Sequence, residues 1–572
     1  MVHQDSLPQT GSRLERSLSN TAWVHQPDRL IEGRAEGALK GLCFAAKDNI
    51  DVAGWPTTAA CPAFAYTATT HATVVQRLLD AGASLQGKTN LDQFACGLNG
   101  TRSAYGAVPN AFNPLFVSGG SSSGSAYVVA TGQVDFALGT DTAGSGRVPA
   151  GLNNIVGLKP SRGLISAKGV VPAAQAVDCI SIFATTVAGA AQVLAAAMGH
   201  DAADPYSRAL PMATTPFGAR FRFGVPVAPE FFGDEASRQA FDDALLCLRE
   251  LGGESVPVDF GVFSACADML YGTALVAQRY EAIRGFFDAH ETDVIEPVRS
   301  IIASGRNYSA ADLVAAQTQL AAYAQQAAPL WAGLDCMVVP TAPTHHTIER
   351  MQADPVELNR QLGAYTNFVN LLDYAALSVP SSLRPDGLPF GITLIGRCGS
   401  DWQLAELGQR FHHATGLSQG ATGLPLPAPQ PIPGLAPESS VRVAVVGAHL
   451  SGMPLNQQLT ERHATLVEST HTAPIYRLYA LPGTVPPKPG LKRVAPGEGA
   501  AIEIEIWDMP LAHYGSFVSL VPAPLSIGTL TLADGSSVQG FLCEPLALEQ
   551  ATDITHLGGW RAYTAERQAA TS

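Results

Sequence analysis

Short apolar runs alternate with stretches of helical period along the larger part of this chain. The segment "VVQRLLDAGASLQGK" predicts a helix that ends at Gly82, followed by a strand. "SAYVVATGQVDFALGTD" predicts a helix stopped by Gly132 and then a buried strand over "VDFALG". The alternation runs from Gly41 to about Arg397 and predicts an α/β core with helices covering the sheet. Within it, residues 236–334 read as helix-rich, and "DCMVVPTAP" and "PFGITLIGR" as strands. The stretch 420–440, "GATGLPLPAPQPIPGLAPESS", has six prolines and no apolar period, and predicts a semi-rigid linker. Beyond it "VRVAVVGAHL", "AIEIEIWDM" and "GTLTLADGSSVQGFLC" predict strands, the last holding an Asp-Gly turn. The expected organisation is residues 1–419 as one domain, 420–440 as linker, and 441–572 as a smaller α+β domain.

Composition narrows the classes. At 572 residues the chain is too long for one ordinary core. With 46% hydrophobic and only 15% charged residues, it reads as a large globule with much buried surface. A formal charge of −14 argues against a nucleic-acid partner, because phosphate contacts need clustered Lys and Arg. The nine cysteines are scattered without a CxxC, so neither a zinc site nor a disulfide framework is suggested, and no metal or cofactor is expected. The opening "MVHQDSLPQTGSRLERS" lacks an apolar leader core and no apolar run reaches spanning length; no membrane partner and a cytoplasmic location are expected.

Two serine-bearing loops carry the candidate chemistry. Residues 118–125 read "SGGSSSGS" and residues 139–150 "GTDTAGSGRVPA". "GSSSG" satisfies G-x-S-x-G with Ser122 at its centre, the pattern of a nucleophile elbow, for which His345 or His346 would be the base. The preceding "NAFNPLF" contains Pro114 and makes a poor central strand. In the second loop, small residues ahead of Ser145 let successive backbone amides converge on one point, as an oxyanion requires. A base other than histidine is on offer: Lys47 closes an apolar run in "LCFAAKDNIDVAG", where burial would depress its pKa.

"AAKDNIDVAG", "GGSSSGSA" and "GTDTAGSGRVPA", in that order and with "GLKPSRGLIS" and "NLLDYAALSVPS", closely resemble the amidase signature family over about residues 30–415. The resemblance implies a mixed central sheet covered by helices, with Ser145 as the acylating nucleophile and Lys47 as the base. Ser121 would be the relay between them, next to an unusual cis peptide bond. It implies an oxyanion hole from the amides of Thr142, Ala143 and Gly144 with Ser145, supported by Asp141 and Arg147, and places Ser122 beside the substrate. "TAGSG" departs from the commoner "TGGS", and alanine at 143 is tolerable only with ordinary backbone angles.

"SACADMLYGTALVAQRYEAIRGFFD" is similar to the allophanate hydrolase branch of that family, in which such a Tyr and Arg hold the substrate carboxylate. Tyr271, Arg279 and Glu281 lie on a helical pattern, and the eight-residue spacing of Tyr271 and Arg279 predicts a shared face two turns apart. "VVGAHLSGMPLNQQL", "APIYRLYALPG" and "DITHLGGWRAY" resemble the C-terminal domain of that branch, and the first also the opening loop of γ-glutamyl-cyclotransferase-type folds. His449 is the acid–base or anion-binding candidate there, with Arg477, Tyr479 and Glu544 behind it. The resemblance implies hydrolysis of allophanate to N-carboxycarbamate and ammonia, then decarboxylation assisted by the second domain. It further implies a homodimer and a functional link to a urea carboxylase. The competing readings are a broader amidase, the amidase component of a tRNA-dependent amidotransferase, and an esterase built on Ser122.

Overall fold

A computed structural model describes residues 20–436, 440–462 and 464–571; the opening stretch read above for a leader lies outside them. The chain divides into two compact units, Met1–Leu435 and Ala436–Ser572. In the first, eleven strands form one sheet: β1 (Trp23–His25), β2 (Cys43–Lys47), β3 (Ser84–Thr89), β4 (Phe136–Asp141), β5 (Val156–Lys159), β6 (Cys179–Ala184), β7 (Phe221–Pro226), β8 (Gly253–Val258), β9 (Cys336–Pro340), β10 (Tyr374–Leu383) and β11 (Pro389–Arg397). Their spatial order is β1-β3-β2-β4-β6-β5-β10-β11-β9-β7-β8, mixed in direction. Strand β2 runs parallel to both β3 and β4, whereas β4 and β6 are antiparallel. Every residue of β4 and β6 is buried, which explains their continuous apolar runs.

The strand over "VDFALG" forms as β4, and the helix before it as α1 (Ser123–Ala130), buried along its whole length. A short helix α2 (Val148–Leu152), with Pro149 in its first turn, follows the second serine loop. Strand β8 lies inside the region read as helix-rich; "GESVPV" has no apolar run, and its register against β7 makes it a strand at the sheet edge. The helices of that region include α3 (Gly261–Gly272) and α4 (Ala277–His290).

The proline-rich stretch packs more closely than a free linker. Gln419 bridges to Leu424, the amide side chain of Gln409 donates to the Gln430 carbonyl, and Ile432 is buried in the core of the first unit. The second unit has a five-stranded sheet ordered β13-β16-β12-β18-β17, from β12 (Ser440–Val445), β13 (Thr465–His471), β16 (Glu503–Pro510), β17 (Leu525–Thr531) and β18 (Ser537–Cys543). A smaller sheet holds β14 (Tyr476–Ala480), β15 (Pro489–Arg493) and β19 (Thr552–Asp553). The Asp-Gly turn joins β17 to β18 as an antiparallel hairpin, with Gly535 at φ +84°.

Candidate active site

The C-terminal ends of parallel strands β2 and β4 lie side by side, where α/β sheets place their ligands. Lys47 is the last residue of β2; Ser121 stands just ahead of α1, and Ser145 just ahead of α2. The topology thus brings three stretches far apart in sequence to one sheet end. Lys47 Nζ donates to Ser121 Oγ at 2.8 Å, and Ser121 Oγ donates to Ser145 Oγ at 2.9 Å. Lys47 Nζ also donates to Thr140 Oγ1 at 2.7 Å, and the Ser145 hydroxyl lies 3.4 Å from the Gly97 carbonyl. The Gly120–Ser121 peptide is cis.

Lys47 is fully buried, and that desolvation lowers its pKa to about 7, although Asp92, Asp178 and Asp141 pull the other way. Asp92 is fixed by the amides of Asn99, Gly100 and Arg102, and its own amide donates to the Ser121 carbonyl. A Cβ on Gly120 would stand 2.1 Å from Asp92 Oδ2, so the second glycine of "SGGS" is a packing requirement.

The loop 141–147 is braced from below. Arg147 Nε and Nη2 each donate to Asp141 at 2.9 Å, the Gly146 amide donates to Asp141 Oδ2 at 3.0 Å, and Asn370 Nδ2 donates to the Asp141 carbonyl at 2.7 Å. Among the described residues, the amides of Ala143, Gly144 and Ser145 donate to no protein acceptor, which leaves them available to an incoming oxyanion. Gly144 has φ +142°, whereas Ala143 has no left-handed angle, so alanine is tolerated at one position and glycine is needed at the next. Thr142 Oγ1 donates to Asp178 at 2.5 Å.

Tyr271 and Arg279 meet, but not as two turns of one helix. Tyr271 is on α3 and Arg279 on α4; the helix breaks at Thr273, extended at φ −133°, whose side chain caps the next turn. Arg279 Nη2 donates to Tyr271 OH at 3.0 Å, with the guanidinium over the ring. Arg279 is 3% exposed, and its Nε and Nη1 have no partner among the described residues. Burial opposes its charge, whereas Tyr271, Cys96 and Asp178 favour it; Asp178 also accepts from Thr142 Oγ1, and Cys96 precedes Gly97, whose carbonyl Ser145 meets. Glu281, read on the same helical pattern, makes no contact with this pair among the described residues.

Ser122 does not face the site. Its Oγ donates to the Thr140 carbonyl and accepts from the Thr140 amide, so the hydroxyl is occupied by the backbone of β4. Neither His345 nor His346 bonds to a serine: His345 shares a bond with the Pro389 carbonyl, and burial lowers both pKa values to about 4. Neither histidine therefore serves as a base for Ser122. The partners that the sequence reading missed are Thr140, Gly97, Asp92 and Asp178, and no motif spacing marks them.

In the second unit, His449 Nε2 is 2.9 Å from Gln458 Oε1, and its ring stacks on Phe541 and meets Phe517 edge-on. It lines a cavity of about 250 Å³ whose walls are mainly apolar, with Lys488 and Gln458 as the other polar side chains. Burial lowers its pKa, so it is neutral near pH 7. Arg477 pairs with Asp553 and donates to the Glu498 carbonyl, away from that cavity.

Fold and site together define an amidohydrolase of the amidase type. The amidase family model matches residues 11–405, and the chain belongs to that family. Residues 441–565 match the allophanate hydrolase C-terminal domain. The chain is 42% identical over 566 residues to a urea amidolyase of Lachancea kluyveri, covering 96% of this chain and 31% of that one. It thus spans about a third of the length of the urea amidolyases it matches. The solved allophanate hydrolase of Kluyveromyces lactis matches at a TM-score of 0.73 and 42% identity, over 92% of this chain and 89% of that chain. A glutamyl-tRNA(Gln) amidotransferase component from Haloarcula marismortui is 33% identical over 412 residues, 67% of this chain and 97% of that one.

Proposed function

We propose that this chain hydrolyses allophanate, a urea bearing a carboxylate on one nitrogen, through a serine acyl-enzyme. The observation that carries the reading is a buried guanidinium with donors unpaired among the described residues, in the same unit as a lysine–serine–serine relay. A carboxylate satisfies Arg279 in a way no neutral amide does, since its two oxygens accept paired N–H groups. In this reading Ser145 Oγ attacks the terminal carbonyl carbon. Its proton passes to Ser121 Oγ as Ser121 passes its own to neutral Lys47 Nζ. The carbonyl oxygen becomes an oxyanion facing the amides of loop 142–145. Collapse breaks the C–N bond, and the proton returns along the relay to the leaving ammonia. Water then cleaves the ester by the same route and frees Ser145.

The released N-carboxycarbamate is a dianion. Breaking the C–N bond releases carbon dioxide and leaves the electron pair on nitrogen, which takes up a proton from water to give the carbamate monoanion; a mainly apolar cavity disfavours the doubly charged starting state relative to these products. This supports the second unit as the place where decarboxylation is assisted, with His449 and Lys488 as its polar contacts. Allophanate is a carboxylated urea, so an activity that carboxylates urea must supply it; the urea amidolyases, about three times longer than this chain, support a functional link to a urea carboxylase. The test is to supply allophanate, its decarboxylated parent urea and neutral linear amides, and to quantify ammonia and carbon dioxide separately. Turnover of allophanate with ammonia ahead of carbon dioxide is expected. A Ser145→Ala variant that kept full activity would sink the mechanism.

A further inference from the structure

We propose that Thr140 is the positioning residue that aims the Lys47 amine at Ser121, and that Ser122 is the clasp that holds Thr140 in place. The inference rests on the reading of Lys47 as the base. The four residues close a ring. Lys47 Nζ donates to Ser121 Oγ at 2.8 Å; Ser121 is joined covalently to Ser122; and Ser122 Oγ holds the Thr140 carbonyl at 3.1 Å and amide at 3.3 Å. Thr140 Oγ1 completes it by accepting from Lys47 Nζ at 2.7 Å. Lys47, Ser121 and Ser122 are fully buried and Thr140 is 3% exposed.

A lysine amine sits on four flexible methylenes and turns freely about its last bond. A base must present its lone pair to one proton, so one N–H has to be held elsewhere. The Thr140 hydroxyl does this from the neighbouring strand, because β2 and β4 run parallel and bring Lys47 and Thr140 to the same end. Its branched Cβ stiffens the hydroxyl's direction. Ser122, next to the relay serine and locked to the backbone of Thr140, couples the position of Ser121 to that of the amine. This accounts for a second buried serine beside the relay.

The test is full-length Thr140→Val and Thr140→Ser, with Thr140→Ala as the second hydroxyl-free variant and Ser145→Ala alongside, each checked for folding by thermal melting. Allophanate turnover is followed as first-ammonia release across pH. Loss of a hydrogen bond to an amine that gains charge as it takes the proton should lower kcat roughly 10- to 100-fold at unchanged KM. The acid limb should move to lower pH, because the ammonium form loses an acceptor while Asp92, Asp178 and Asp141 still face it. Thr140→Ser should recover most of the rate. Parent-like kcat and pH profile in Thr140→Val or Thr140→Ala, beside an inactive Ser145→Ala, would overturn this inference alone. Equal loss in the valine and serine variants, or a loss confined to KM, would overturn it as well. Activity in Ser145→Ala would instead remove the reading beneath it.

Discussion

Arg147 grips Asp141 through two hydrogen bonds of 2.9 Å, with both side chains fully buried. Burial pushes the Asp141 carboxyl up, but Arg147 beside it, Lys159 and the Gly146 amide hold it below the ordinary carboxylate range. Arg147 also reaches the Thr366 carbonyl and Asn370 Oδ1, so it ties the nucleophile loop to residues 366–370. Arg147→Ala leaves a buried carboxylate unpaired and should destabilise the protein by about 3–5 kcal/mol, read by denaturant unfolding. Because the folded pKa of Asp141 is depressed, the pair's contribution is complete above the ordinary carboxylate range. It is lost as pH falls through the lowered value. The parent should therefore lose more stability on acidification than Arg147→Ala; parallel curves would contradict the assignment.

Lys47 titrates near neutrality because burial disfavours its charge, its pKa falling to about 7. The base works only unprotonated, so kcat/KM should rise through about pH 7 and, on the acid side, fall about tenfold per pH unit. Lys47→Met should lose this limb together with nearly all turnover. A flat profile across neutrality in the parent would show that another group takes the proton.

Positions 143 and 144 make a paired steric prediction. A Cβ on Gly144 would stand 2.4 Å from Thr366 Oγ1 and would sit at φ +142°. Gly144→Ala should displace the oxyanion loop and lower kcat by about 100-fold, the scale of one lost oxyanion donor. Ala143→Gly should leave kcat near the parent value, as its angles are ordinary. Steady-state kinetics of the two variants side by side decides it; an equal effect at both positions would contradict the account.

Much of this site is legible in the chain, and the rest fails for a physical reason. Lys47 ends an apolar run, and such a run predicts a buried strand end, which is where it lies. The loop at 143–146 announces converging amides by its small side chains. The contact between Tyr271 and Arg279 is found at the expected spacing, yet it arises across a helix break at Thr273, which a count of turns cannot show. Thr140 and Asp178 are illegible because their roles come from strand order, and neighbouring strands β4 and β6 leave no local signature of that order. The packed tail at Ile432 is hidden by prolines that read as a linker. Ser121 and Ser122 differ by one position; the short G-x-S-x-G pattern points to Ser122, the longer resemblance to Ser121, and it is Ser121 that meets the lysine.

Arg279 should separate charged from neutral substrates. Arg279→Gln removes the guanidinium while keeping hydrogen-bond donors of similar reach. The KM for allophanate should rise roughly 100-fold, the scale of truncating one partner of a buried charge pair, with a smaller effect on any neutral amide turned over. Tyr271→Phe should have the same sign and a smaller size, since it removes only the hydroxyl that Nη2 meets at 3.0 Å. Competition between allophanate and a small dicarboxylate such as malonate checks the point: inhibition by the dicarboxylate should weaken in Arg279→Gln. Undiminished inhibition would place the carboxylate elsewhere.

His449 tests the division of labour between the two units. Its ring is fixed by Gln458 and two phenylalanines in a mainly apolar cavity, far in sequence from the relay of Lys47, Ser121 and Ser145. Neutral near pH 7, it can meet a carboxylate through its N–H while the nitrogen left by carbon dioxide takes up a proton from water. In the full-length chain, His449→Ala should release the first ammonia at the parent rate, because bond cleavage at Ser145 is untouched. Carbon dioxide and the second ammonia should lag, since both await decarboxylation of the dianion. Stopped-flow detection of carbon dioxide alongside an ammonia assay resolves the two steps. If carbon dioxide kept pace with the first ammonia in this variant, the cavity would have no part in the second step and the first unit would carry the whole reaction.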